Sequence, residues 1–143
     1  MEQVVLIITA TLAGVAAYVI SVELGKGAVL GSAIVVLAGG IIFPPLLGDL
    51  GSSMALVAAT AAYAGMVSKD NIRCRGEMAV VGCISGFLFL AAAPAYPGVG
   101  GRLGTIGAIA CLSFMGYRHL FGSMGRQNMR NVPTGQRDVN IKR

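Results

Sequence analysis

The sequence has little charge and few of the side chains that mark a soluble protein. Charged residues make up 12% of the 143 residues, against about 25% in a typical soluble domain. Tryptophan is absent and histidine occurs once. Eleven basic and six acidic side chains are too few to cover the surface of a water-soluble domain of this length. The composition therefore excludes a soluble enzyme domain and a disordered chain. It also excludes a nucleic-acid binder, in spite of the net charge of +5.

Sequence motifs that mark catalytic or metal centres are also missing. The chain contains no P-loop, no HExxH, no GxSxG and no CxxCH pattern. Its three cysteines have no CxxC spacing, so they indicate neither a disulfide framework nor a zinc site. We therefore expect no enzymatic activity, no catalytic residue, no cofactor and no metal in this chain.

Long apolar runs are what the sequence does contain. A transmembrane helix needs about 20 mostly apolar residues, and five runs of roughly this length follow one another. They predict an all-α integral membrane protein with five transmembrane helices, which we expect at Val4–Val22, Gly27–Leu47, Leu50–Val67, Met78–Ala95 and Leu103 to about Phe121.

Basic residues predict the orientation of these helices, because Lys and Arg accumulate in cytoplasmic loops. With the N-terminus outside and the C-terminus inside, ten of the eleven basic residues lie on the inner side and only Arg102 lies outside. The chain then divides into a polytopic transmembrane domain, 1–121, and a basic cytoplasmic tail, 122–143. We expect it in the cell membrane as a multi-pass protein.

An internal repeat at an offset of 53 residues is the most informative pattern. Residues 43–52 match residues 96–105 at six of ten positions: an aromatic residue, proline, glycine, leucine, glycine and a hydroxyl residue. Each copy spans the end of one predicted helix, an outer turn and the start of the next helix. The sequence therefore predicts that helices 2–3 and 4–5 form a parallel hairpin repeat, as in one class of transporters.

The repeated turns supply the candidate site, which consists of Asp49, Ser52, Arg102 and Thr105. The two hydroxyls are expected to cap backbone N–H groups where a helix begins. Asp49 and Arg102 occupy equivalent positions with opposite charge, so they are expected to meet as an ion pair if the repeats pack around an axis. Three interpretations stay open: a tight turn used twice, anion recognition at paired helix N-termini, and a gating or substrate contact.

Small residues indicate how the helices pack. Helices in lipid associate through close backbone contact, and GxxxG spacing occurs at Gly27 and Gly31 and again at Gly82 and Gly86. Five short helices bury little surface, so we expect a homo-oligomer or a complex with other membrane subunits within the lipid bilayer.

The predicted helices have no Asp, Glu, Lys, Arg or His near their centres, and proton-coupled carriers normally need an ionisable residue there. The leading hypothesis is therefore a component of a membrane transport or ion-translocating assembly that handles a small solute or anion. The alternatives are a purely structural subunit and a holin-like pore former. Under the leading hypothesis, hydroxyl residues line a path or pack against a larger subunit: Ser52, Ser53, Thr60, Ser85, Thr105 and Ser113.

Overall fold

The computed structural model describes residues 1–67, 71–72, 74–95 and 101–130, and over 121–130 it describes the backbone alone. No strand occurs in these parts of the chain, so the all-α prediction is confirmed for them. A π-helical segment, Val19–Glu23, continues the first helix. The α-helices in chain order are α1 (Glu2–Tyr18), α2 (Ala28–Ala64), α3 (Arg75–Ala92) and α4 (Arg102–Arg130).

Three of the described helical segments are long and apolar enough to cross a membrane: Glu2–Glu23, Ala28–Ala64 and Arg75–Ala92. They support the prediction of a membrane protein with transmembrane helices. The second and third predicted helices both correspond to α2, which counts as one segment. The fifth corresponds to α4, which is not among the three, so the number of five crossings stays a prediction.

Helix α2 is bent into a hairpin at Gly48. A straight helix of 37 residues would be about 55 Å long, far more than the ~30 Å hydrocarbon core of a bilayer. Gly48 has φ 58° and ψ −126°, which no helical residue adopts. We call residues 28–47 the first arm and residues 49–64 the second arm. They run side by side, since a Cβ added at Gly39 would lie 3.7 Å from the Cβ of Ala58.

Glycine contacts show the direction of the remaining segments. Gly14 of α1 lies against Ala61 of the second arm, and Gly65 lies against Ala17, so α1 and the second arm are parallel. A Cβ added at Gly82 of α3 would lie 2.9 Å from the Cα of Thr11 in α1, so α1 and α3 are in close contact.

The next glycine on α3 shows the direction of that helix. Gly86 packs against Ile7, which lies nearer the start of α1 than Thr11 does. Helix α3 is therefore antiparallel to α1. Helix α4 is parallel to the second arm, since Gly107 contacts Thr60 and Cys111 contacts Ala64. The five segments thus alternate in direction. We call the end with Gly48 and Gly101 the Gly48 end, and the opposite end the Glu23 end.

The core is built largely from small side chains at the helix contacts, as expected for packing in lipid. Ala10, Ala58 and Ala61 are almost completely buried. Two clusters of buried residues lie one above the other. The cluster toward the Gly48 end includes Leu6, Val57, Phe89 and Ile106, and the cluster toward the Glu23 end includes Tyr18, Ile72, Met78, Val81 and Ala110.

Several helix ends differ from the predicted ones, including the start of α3 and the end of α4. Helix α3 begins at Arg75, three residues before the predicted start, and α4 continues to Arg130 instead of ending near Phe121. The backbone of 122–130, assigned to the tail from the sequence, is therefore helical. The rest of the predicted tail, 131–143, lies outside the described residues.

Candidate functional site

The two repeated turns have the same local geometry at their shared glycine. Gly48 and Gly101 both have positive φ, 58° and 82°, a conformation that glycine adopts without steric cost. The hydroxyl of Ser52 donates to the carbonyl oxygen of Gly48 at 3.2 Å. The hydroxyl of Thr105 donates to the carbonyl oxygen of Gly101 at 3.1 Å. The sequence match therefore extends to backbone conformation and to one hydrogen bond. The first part of the second copy, 96–100, lies outside the described residues.

The direction of these hydrogen bonds corrects one expectation. Ser52 and Thr105 do not cap backbone N–H groups; each donates to a carbonyl four residues earlier. The reason is position, since the helices begin right after Gly48 and Gly101 and the hydroxyls lie one turn inside them. A Ser or Thr inside a helix characteristically bonds to the carbonyl of residue i−4. The hydroxyls stabilise the first turns of the second arm and of α4.

The charged members of the candidate site are not brought together. Asp49 is exposed beside the bend of α2. Arg102 is partly buried, and its guanidinium lies 5.5 Å from the ring centroid of Phe89 on α3, within cation–π range. Asp49 and Arg102, both in the described part of the chain, form no ion pair. The expected pair is absent because Arg102 packs on α3. Asp49 and Ser52 lie at the start of the second arm, and Arg102 and Thr105 lie at the start of α4.

The second glycine of each repeat copy packs differently. Gly51 lies directly against the backbone carbonyl of Phe43, where a Cβ would collide. At Gly104, no described atom lies within 4 Å of an added Cβ. Tyr96, the counterpart of Phe43, lies outside the described residues. Close approach at this glycine is therefore established for the first copy.

The hydroxyl residues considered for a path do not share one surface. Thr60 and Ser85 are fully buried, whereas Ser52, Thr105 and Ser113 are exposed. Thr60 donates to the carbonyl of Leu56 at 2.9 Å, so its hydroxyl serves its own helix.

The Glu23 end holds a set of polar contacts that the sequence did not reveal. The buried Tyr18 hydroxyl donates to the carbonyl of Ile72 at 2.9 Å. The carboxylate of Glu23 forms an ion pair with Arg75, accepting from Nε at 2.6 Å. These bonds join α1 to the start of α3. The sequence offered one indication of this ion pair, since Glu23 and Arg75 have opposite charges and lie on the same predicted side of the membrane.

A second set of contacts joins α4 to the same region. Arg118 donates to the carbonyl of Asn71 at 2.9 Å and pairs with Glu77 at 3.5 Å. The segment between the second arm and α3 is thereby held from two sides. This pairing gives Arg118 a structural role within α4.

The GxxxG spacings are used unequally. Gly82 and Gly86 of α3 both face α1, with 2.9 Å and 3.1 Å between an added Cβ and the Cα atoms of Thr11 and Ile7. Gly31 packs against Ser21, but Gly27 precedes α2 with φ 94° and has open space around it. Only the pair in α3 therefore acts as a close-packing motif.

A groove between α1 and the two arms of α2 was not predicted. Its volume is about 510 Å³, and twelve of its thirteen lining residues are apolar. We call it the α1–α2 groove. The sequence gives no sign of it, because it results from how three apolar segments are spaced. Residues that line it include Leu12, Ala16, Ile20, Ile34, Ala38 and Ile42.

No cluster of His, Cys, Asp or Glu suited to a metal ion occurs among the residues described. The three cysteines are free: Cys74 is exposed, and Cys83 and Cys111 are partly buried. Comparisons with protein-family models, with curated proteins and with solved structures find no match. The function proposed below therefore rests on the residues of this chain.

Proposed function

We propose that this chain is a small multi-pass protein of the cell membrane and a component of a transport or ion-translocating assembly. The observation that carries the proposal is the repeated turn. Gly48 and Gly101 share a positive φ, and Ser52 and Thr105 make the same hydrogen bond to them. Parallel internal repeats occur in one class of transporters.

The proposal includes five crossings, with the N-terminus outside and the C-terminus inside. Two observations support it. The segments α1, first arm, second arm, α3 and α4 alternate in direction. The bend at Gly48 makes each arm of α2 close to the length of one crossing, and ten of the eleven basic residues then lie inside. The repeat unit is the first and second arms, matched by α3 and α4.

The assembly would form along the first arm. Only 17% of the most apolar stretch of α2 is buried, and large apolar side chains of the first arm point away from the rest of the chain. Such a surface meets lipid or another membrane subunit. The chain is small, so we propose that it acts as a homo-oligomer or beside other subunits. The most exposed of these side chains are Val29, Leu37, Ile41 and Leu46.

The energy for transport would come from a partner subunit or from the solute gradient. Within the three described membrane-length segments, acidic and basic side chains lie at the ends or at the Gly48 bend. They are Glu2, Glu23, Asp49, Arg75 and Glu77. No proton-carrying group therefore lies in mid-helix in this part of the chain, and proton coupling normally requires one.

A second function, a purely structural subunit, is favoured by one observation. The hydroxyls of Ser52, Thr60 and Thr105 all donate to carbonyls of their own helices. Hydroxyls engaged in this way stabilise helices and are less available to a solute.

One purification distinguishes the two functions. The tagged chain is extracted from its native membrane in a mild detergent, and its mass and co-eluting proteins are determined. We expect a complex well above the 14.6 kDa of one chain, containing subunits with a solute pathway. A complex whose other members have no such pathway would favour the structural subunit. Parallel extraction in a harsh detergent, which separates the subunits, is the control.

A further inference from the structure

The α1–α2 groove is long, narrow and apolar. Along α1 its lining runs from Thr9 to Ile20, which corresponds to about 16 Å of helix. Thr9 is the one lining residue with a hydroxyl, and this hydroxyl donates to the carbonyl of Val5 at 2.8 Å. Its wall therefore offers a ligand no free polar group. The groove runs parallel to segments long enough to cross a membrane, so hydrocarbon is the medium around it.

The shape of the groove decides what fits inside. The volume of about 510 Å³ extends over about 16 Å of helix, so the space is elongated along the helices. A chain of methylene carbons is about 4 Å wide, since non-bonded carbons approach to 3.5–4.0 Å. One hydrocarbon chain therefore fits along the groove.

The floor of the groove explains why it is open. Four of its lining residues are small: Ala16 and Ala38 are exposed, and Gly39 and Ala58 are buried. Larger side chains at these positions would fill the space. The groove is thus a consequence of small residues where two apolar helices meet.

The exposed charged side chains differ between the two ends of the groove. The Gly48 end carries the exposed carboxylates of Glu2 and Asp49. Arg102 lies at the same end, over Phe89 of α3, which is not part of the groove wall. At the Glu23 end, Glu23 is paired with Arg75, and Lys26 is exposed just beyond α1. An anionic headgroup at the Glu23 end would therefore lie near the exposed cation of Lys26, whereas exposed carboxylates lie at the other end.

We propose that the α1–α2 groove binds one acyl chain of an anionic phospholipid, with the headgroup beside Lys26. The chain fills the apolar space, and its methylenes gain contacts with the lining residues. Lys26 selects the headgroup by charge, as basic residues near a membrane surface do.

The absence of tryptophan permits a direct test with one fluorescent reporter. Leu12 lines the groove and is 66% exposed, so Leu12→Trp places an indole at its mouth. The variant is reconstituted in phosphatidylcholine vesicles in which a fifth of the lipid is phosphatidylglycerol with brominated acyl chains. Bromine quenches the indole only on contact. In a second preparation the vesicles are made of phosphatidylglycerol, and a fifth of the lipid is phosphatidylcholine with brominated acyl chains.

The expected result is unequal quenching in the two preparations. A preference of about fivefold for the anionic lipid corresponds to ~1 kcal/mol, typical of one lysine at the surface. Brominated phosphatidylglycerol would then occupy more than half of the grooves, and brominated phosphatidylcholine well under a fifth. If the brominated lipid occupied a fifth of the grooves in both preparations, as it does in the vesicle as a whole, the proposal would be overturned. Weak quenching by both lipids would also overturn it, because a protein segment would then fill the groove.

Three further substitutions in the Leu12→Trp protein locate the site. Ala38→Phe fills the groove and should abolish the lipid preference. Ala33→Phe is the matched control, since Ala33 is an equally exposed alanine of the first arm outside the groove lining, and it should retain the preference. Lys26→Gln leaves the groove intact and should reduce the preference about fivefold. An unchanged preference in Ala38→Phe or in Lys26→Gln would contradict the assignment.

Discussion

In α2, Gly51 lies directly against the backbone carbonyl oxygen of Phe43, and a Cβ at this position would collide with it. This contact joins the two arms just beside the bend at Gly48. Pro44 and Pro45 lie inside the first arm near its end, where each removes a backbone hydrogen bond. The hairpin thus has three causes. The prolines weaken the first arm, Gly48 adopts the φ of the bend, and Gly51 allows the second arm to pack against the first.

The first prediction concerns this contact. Gly51→Ala should destabilise the protein by about 1–3 kcal/mol, because the new methyl group must displace backbone. Gly40→Ala, in the same helix with open space around it, is the control. It should be neutral or stabilising by up to about 1 kcal/mol, since alanine favours helix. Unfolding in detergent micelles measures both. A Gly51→Ala protein as stable as Gly40→Ala would show that the arms do not meet at this point.

The second prediction tests whether the repeated turns are equivalent. Gly48→Ala and Gly101→Ala should each cost about 1–3 kcal/mol, because both positions have positive φ and a Cβ is strained there. Gly116→Ala in α4 has open space and an ordinary φ, so it should not destabilise. Thermal denaturation in micelles, followed by loss of helix signal, gives the comparison. A cost at one turn and none at the other would contradict a shared geometry.

The third prediction concerns the contact between α1 and α3. Gly82→Ala should lower the unfolding free energy by about 1–3 kcal/mol, because the added methyl lies 2.9 Å from the Cα of Thr11 and backbone cannot move freely. Gly76→Ala is matched to it on α3, where the nearest atom, the Cys74 sulfur, is 4.0 Å away. Equal stability of the two variants would mean that α1 and α3 are further apart than described here.

Sequence reasoning predicted the helical elements well, for a physical reason. Apolar runs flanked by charges are sufficient to locate helices in lipid, and the gap between the second and third runs coincides with the bend at Gly48. The repeat also indicated a tight turn used twice as one interpretation, and Gly48 and Gly101 share a positive φ. Both predictions depend on local sequence, since glycine is the residue that tolerates positive φ.

Features that depend on three-dimensional arrangement were not predictable in the same way. Arg102 packs on Phe89 instead of Asp49, because the position of α3 decides which partner is near. The direction of the Ser52 hydrogen bond depends on where the helix begins, and a shift of a few residues changes a cap into a bond along the helix. The α1–α2 groove depends on helix spacing, which hydropathy does not encode.

The fourth prediction follows from the positions of the ionisable residues. The pure protein in liposomes should not accumulate a solute against its gradient when a pH difference is imposed. Glu23 is engaged with Arg75 at a helix end, and Asp49 is exposed at the bend, so neither lies where a proton carrier is needed. Radiolabelled solute uptake with and without a protonophore is the measurement. Uptake that the protonophore abolishes would contradict the account.

The central claim is a multi-pass membrane protein whose Gly48 end faces outward, and labelling of two cysteines tests it most directly. Asp49 and the native Cys74, both exposed, lie at opposite ends of the helical segments. Intact cells producing Asp49→Cys, with Cys83 and Cys111 replaced by alanine, are treated with a membrane-impermeant maleimide. We expect labelling of residue 49 from outside and of Cys74 only after permeabilisation. Labelling of Cys74 from outside with residue 49 protected, or labelling of both, would contradict the account.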